Sequence, residues 1–218
     1  MTDNLVTLAQ VVAAGPTAAR VLYRHRLDFC CGGQRKLGDA CAEAGLNPRT
    51  ILEEIEHASA SAAPSRVPTD PVQLVDYILE RYHRPLRPEL VRLLEMAEKV
   101  ERVHAQKPTC PTGLTAHLSE MQQALEEHLA KEEQILFPII QAGQGHQAYM
   151  PVQMMMHEHL DHAANLRRMR ALTGDLRVPA EACATWRALY EGLAALELDL
   201  MEHIHLENNM LFPGVLAR

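Results

Sequence analysis

With 218 residues, 47% hydrophobic and 22% charged, the chain can bury one substantial core and a small appended unit; its formal net charge of −7, with no run of lysine and arginine, argues against a nucleic-acid partner. No charged-then-apolar leader opens the chain and no uninterrupted apolar run approaches the ~18 residues of a membrane span, so the cytoplasm is the expected compartment and no membrane partner is expected. Five cysteines, odd in number and unevenly spaced, fit a reducing environment rather than a disulfide framework.

Residues 1–60 read as a small helical domain, with short helices near 4–13, 16–26, 36–44 and 48–58. Between the second and third lies Asp28-Phe29-Cys30-Cys31-Gly32-Gly33. Adjacent cysteines on a glycine-rich turn are expected to be accessible to oxidation, nitrosylation or transient metal binding, with Arg24, His25 and Arg26 at hand to stabilise a thiolate. Cys30 and Cys31 are therefore candidates for redox or transfer chemistry, and whether they pair with each other stays open. Cys41, Cys110 and Cys183 lack a companion motif and read as structural. Residues 61–69, within a stretch rich in alanine, serine and proline, read as a linker.

Thr69-Asp70-Pro71 then marks a helix start with proline in the first turn. Four long helices are expected at about 70–104, 112–142, 147–173 and 179–216, separated by Pro108, Pro111 and Gly113, by Gly143 and Gly145, and by Gly174 and Pro179. Nothing alternates with period two over a useful length, so the expected fold is all-α: a small N-terminal domain followed by a helical bundle over 70–218.

The bundle sequence repeats itself. His128-Leu129-Ala130-Lys131-Glu132 and, after three residues, Leu136-Phe137-Pro138 return as His203-Ile204-His205-Leu206-Glu207 and Leu211-Phe212-Pro213. His83 precedes the first copy and His159 the second at nearly the same separation, so two related helical hairpins each supply one histidine, then a histidine with a glutamate. Side chains four apart share a helix face. That face is the apolar one: Leu114, Leu118, Met121, Leu125, His128, Glu132, Ile135 and Ile139 form one stripe, and Leu193, Leu196, Leu200, His203, Glu207 and Met210 another. His83 interrupts Leu79, Leu86, Leu90 and Leu93 in the same way, and His159 falls between Met155 and Leu166. A buried charge costs several kcal/mol, on the order of 3–5, unless it is paired or metal-bound, so six polar groups in apolar stripes call for a shared partner. Histidine and carboxylate without cysteine suit a pair of first-row metals, iron or manganese. If both glutamates bridge, each roughly six-coordinate metal keeps about one open position, for solvent or a diatomic ligand. His104 is too far along its helix to join this centre and His205 should face away from it, while His162 is a neighbour or substitute ligand.

These motifs carry a family resemblance. The two H-x-x-x-E segments ending in Leu-Phe-Pro, each with its preceding histidine, resemble a hemerythrin-like di-iron domain. Joined to the Cys30-Cys31-Gly32-Gly33 unit, and with Arg81-Tyr82-His83 and the stretch from Lys99 to His104, the whole chain is similar to the Repair of Iron Centres proteins. The resemblance implies an up-down four-helix bundle with two non-haem iron ions, oxo- or hydroxo-bridged, held by His83, His128, Glu132, His159, His203 and Glu207, the two glutamates bridging. It implies repair of iron–sulfur clusters damaged by nitrosative or oxidative stress, by supplying iron, with damaged or apo iron–sulfur proteins as partners. Alternatives are nitric oxide binding or reduction at the centre, an enzymatic role, and gas sensing or carriage. The additional histidine of oxygen-carrying hemerythrins has no clear counterpart here, and the protein is expected to be a monomer or homodimer.

Overall fold

The computed structural model describes residues 5–60 and 67–217. Residues 61–66 of the expected linker lie outside the described residues. Four short helices come first: α1 (Leu8–Val12), α2 (Pro16–Arg24), α3 (Leu37–Ala44) and α4 (Pro48–Ser59). The starts of α1 and α4 are capped by side chains. Thr7 and Gln10 form a capping box, and the Asn47 side chain accepts from the Arg49 amide with Pro48 in the first turn. Helix α2 packs on α1 and α4 over Ala18, Ala19, Val21, Leu22 and Ile51, all buried.

Four long helices follow: α5 over 71–104, α6 over 114–141, α7 (Tyr149–Leu172) and α8 over 184–216. Asp70 caps α5 by accepting from the amides of Val72 and Gln73. Helix α6 packs against both α5 and α7. Short connections between long amphipathic helices build an up-down bundle. Among the described residues no strand forms, and one isolated bridge pairs Thr7 with Lys36. The protein is all-α, as the periodicity predicts. Two boundaries differ: α1 starts at Leu8 rather than near 4, because Thr7 pairs with Lys36 and caps the helix, and α8 starts at Ala184 rather than near 179, because a turn at Pro179 is closed by the Ala182 amide and Arg187 holds the carbonyls of Ala180 and Ala182. The chain forms two compact units, Met1–Leu74 with Leu200–Arg218, and Val75–Asp199, so the division falls inside α8.

Three of the long helices contain a π-turn: Leu79–His83, Glu132–Leu136 and Glu207–Leu211. In each, an amide reaches back five residues, Arg84 to Leu79, Phe137 to Glu132 and Phe212 to Glu207. The cause is local. The next residue is proline each time (Pro85, Pro138, Pro213), which has no N–H to give the carbonyl four residues earlier and whose ring crowds it, so the turn widens. A widened turn carries one extra residue and shifts the buried stripe by one position. Ile135, expected in the core, is 52% exposed, and Leu136, Phe137 and Ile140 are buried instead. In α8 the core continues through Leu211, Phe212 and Val215 rather than Met210, and before His83 it uses Ile78 rather than Leu79. The ligand-type residues His83, Glu132 and Glu207 stand at these register changes.

Candidate metal centre

In the unit Val75–Asp199, helices α5, α6 and α7 bring His83, His128, Glu132 and His159 into the interior, each at most 2% exposed. Glu132 Oε2 lies 3.5 Å from His83 Nε2 and 3.5 Å from His128 Nε2. His128 Nε2 is also 3.2 Å from His159 Nε2. Ligand atoms of His128, Glu132 and His159 all lie within 4.8 Å of one another.

The far sides of the rings explain this convergence. His83 Nδ1 is 2.9 Å from Glu133 Oε1, and His128 Nδ1 is 2.9 Å from Glu158 Oε2. A carboxylate only accepts, so each Nδ1 carries the proton, and in the neutral ring Nε2 presents a lone pair to the Glu132 carboxylate. Lone pair facing carboxylate is repulsive without a cation between them. Two imidazole nitrogens about 2.1 Å from one metal at right angles stand about 3 Å apart, close to the His128–His159 separation. The donor set therefore fits a first-row metal ion. Two basic residues steady the outer carboxylates: Arg87 bonds Glu133 and Glu126, and Lys131 bonds Glu158. Partial burial opposes ionisation of Glu133, but Arg87 and His83 outweigh it and hold its carboxyl below the usual range.

Glu133 and Glu158 escape a search for apolar periodicity because they stand outside the stripe. The signal that could have found them is adjacency: Glu133 follows Glu132 and Glu158 precedes His159. Removing such a carboxylate typically costs 10–100-fold in metal affinity. Glu158→Ala and Glu133→Ala are accordingly expected to load metal to weaker affinity by about that factor, measured by competition with a chelator of known affinity. An affinity unchanged in both variants would show that ring orientation does not depend on them.

His162 is buried with its ring 4.7 Å from that of His128, against the centre as a neighbour. His104 packs on Trp186 and lies 3.3 Å from Cys183, pairing that supposedly solitary cysteine with a histidine.

In the other unit, His203 Nε2 and Glu207 Oε1 are 2.8 Å apart on successive turns of α8, both buried. The same stretch of α8 carries the cysteine turn. Asn208 and Asn209 donate to the Cys30 carbonyl at 3.3 and 3.2 Å, and His205 Nδ1 lies 3.3 Å from the Phe29 carbonyl with the two rings edge to face. Burial pushes the His205 imidazole pKa down, against the opposing effect of the Phe29 carbonyl. His205 is thus turned to the cysteine turn, a role its spacing could not reveal.

Two expectations about the cysteines are corrected. Cys30 is 3% exposed rather than accessible, because its turn is seated on Asn208 and Asn209, while Cys31 is half-buried. Arg24 and His25 do not serve the thiols, since both pair with Glu54 on α4. The neighbouring acid is Asp28, whose Oδ1 accepts from the amides of Cys30 and Cys31 and from the Cys30 thiol. The Cys31 thiol, burial and this carboxylate together raise the Cys30 pKa well above its usual value. Neither cysteine is in a disulfide.

Gly33 is fixed by packing: a Cβ there would stand 2.6 Å from Asn209 Oδ1 and 2.8 Å from the Phe29 carbonyl oxygen. Gly33→Ala should cost about 1–3 kcal/mol, as overpacking does, and loosen the turn. Faster alkylation of Cys30 in the folded variant is the check.

Buried histidine–carboxylate clusters on the inner faces of long helices define a cation-binding helical bundle, and residues 74–215 match the hemerythrin HHE cation binding domain. Residues 5–59 match a domain of unknown function, DUF542. The chain belongs to the family of the iron-sulfur cluster repair protein YtfE. It is 42% identical over 214 residues to the protein of that name from Musicola paradisiaca, and 43% identical over 216 residues to that from Yersinia pseudotuberculosis, each alignment covering 96% of both chains. No described helix is long and apolar enough to cross a membrane.

Proposed function

We propose that His83, His128, Glu132, His159, His203 and Glu207 hold two iron ions, with Glu132 and Glu207 bridging, and that the protein supplies iron to cytoplasmic iron–sulfur proteins damaged by nitrosative or oxidative stress. In this reading residues 1–60 present the cysteine turn, 61–69 link, and 70–218 form the di-iron bundle. The observation that carries it is the opposition of imidazole Nε2 atoms to the Glu132 carboxylate, with Nδ1 already engaged. The repeated spacing of His203 and Glu207, and the name borne by the relatives, support the rest.

When bound, iron supplies exchangeable coordination positions and one-electron chemistry. The chain's own parts are simpler. Glu133 and Glu158 hold the Nδ1 protons, Arg87 and Lys131 keep those carboxylates in place, and Leu136, Phe137, Leu211 and Phe212 contribute to the dry interior.

The test is iron transfer. Iron-loaded protein, incubated anaerobically with an apo iron–sulfur protein and sulfide, should lose iron while the client gains a cluster. The Cys30→Ala/Cys31→Ala variant, loaded equally, should transfer several-fold more slowly. Retention of iron with no cluster formed, and nitrous oxide released on exposure to nitric oxide, would replace iron supply by gas turnover.

A further inference from the structure

The cysteine turn holds a second constellation that the bundle chemistry does not use. Cys30 Sγ lies 3.8 Å from Cys31 Sγ and 3.2 Å from Asp28 Oδ1, and one ligand atom from each of the three lies within 4.8 Å of the other two. Adjacent cysteines on an extended chain send their side chains to opposite sides; here the bend does the reverse. It is held by the two amide bonds to Asp28 Oδ1 and, from outside, by the Asn208 and Asn209 side chains on the Cys30 carbonyl. Gly32 permits the bend, since a Cβ there would stand 2.6 Å from the Asp28 carbonyl oxygen.

The geometry points to a thiolate–carboxylate metal site made by Asp28, Cys30 and Cys31, a docking place for a divalent first-row ion in transit, separate from the histidine–glutamate centre. With metal–sulfur bonds of about 2.3 Å, the edge between two sulfurs of a tetrahedral site is about 3.8 Å, the separation observed. A carboxylate oxygen in the same tetrahedron stands roughly 3.6 Å from a sulfur, so the Asp28 oxygen need move only a few tenths of an ångström from the Cys30 Sγ. Three protein ligands leave the fourth position open. Cys30 forms the buried floor and Cys31 the half-exposed rim, which lets an incoming client thiolate take the open position and displace the rim first. Binding is not a redox step: a divalent ion replaces the two thiol protons, which pass to solvent, and two metal–sulfur bonds form. The transit role rests on the iron-supply reading; the site itself does not.

Cobalt(II) is the probe, on the full-length protein with its bundle already loaded with iron. One cobalt per chain should bind with a near-ultraviolet thiolate-to-cobalt charge-transfer band, which histidine and carboxylate ligands cannot produce, and about two protons should be released. Cys30→Ser/Cys31→Ser should abolish the band at unchanged iron content. Asp28→Asn keeps an oxygen for the two amides but removes the charge, and should weaken cobalt binding by about tenfold or more. No band in the folded wild-type protein, or an equal band in the double serine variant, overturns the proposal. Iron content read on the same samples separates the two readings: an iron-free bundle with the band present sinks only the di-iron assignment, and a loaded bundle without it sinks only the thiolate site.

Discussion

Replacing Glu132 with alanine is expected to empty both metal positions together, taking bound iron from near two per chain to well below one. Glu132 Oε2 stands at the same distance from the Nε2 atoms of His83 and His128, which come from different helices, so its loss strips charge from both sides of the centre. Removal of an outer carboxylate costs 10–100-fold in affinity, and removal of a shared inner one should cost more. Glu207→Ala is expected to behave alike. Elemental analysis after gel filtration is the measurement, with Glu120→Ala, at the exposed salt bridge to Arg168, as the variant that keeps its iron. Clean loss of one ion from either glutamate variant would remove the bridging assignment. A second readout guards against a folding artefact. In the metal-free state a buried carboxylate beside imidazole lone pairs is a liability, so apo Glu132→Ala should melt no lower than the apo wild type, although its melting point in excess iron is lower.

Metal removal itself should produce the largest change in stability. A ligand bound only by the folded state contributes about 4 kcal/mol when its free concentration is 1,000 times its dissociation constant. For a chain of this size each kcal/mol moves the melting temperature by about 2–4 °C, so one ion at that saturation is worth roughly 8–16 °C, and two are worth more. Differential scanning calorimetry before and after anaerobic chelation is the check, with addition of ferrous iron to restore the transition. An apo protein that melts with the loaded one would mean that the histidine–carboxylate contacts satisfy themselves without a cation. His117 shows that such self-satisfaction exists in this fold: it is fully buried and its Nε2 lies 2.9 Å from the Asn165 carbonyl, an ordinary core histidine.

The contrast between His117 and His128 shows what sequence can resolve. Both are buried on α6 among leucines; His128 stood out through its partner four residues on and the second copy of the pair in α8. A duplicated spacing is a local property, and helix geometry turns it directly into a shared face, so the burial of these six histidines and glutamates and the four long helices were legible without coordinates. The helix breakers were legible for the same reason. Proline and glycine act through their own backbones, and the expected ends fell close to those observed except at the starts of α1 and α8.

Other features depend on what lies across from a residue. Three π-turns moved the core by one position after Glu132 and Glu207 and before His83, where the wider turn accommodates the carbonyl left by a proline lacking its N–H; a fixed helical period cannot follow that slip. Glu133 and Glu158 became partners of His83 and His128 only when neighbouring helices brought exposed-face carboxylates to the backs of the rings. The seat of the cysteine turn was equally hidden. Asn208 and Asn209 lie far along the chain from Cys30, and their amides find its carbonyl only in three dimensions. The sequence by itself determined which histidines and glutamates repeat on apolar helix faces and on which helices they stand. The tertiary structure alone decided which carboxylates back the His83 and His128 rings and how Cys30 is buried, since both depend on hydrogen bonds between segments that sequence order does not bring together.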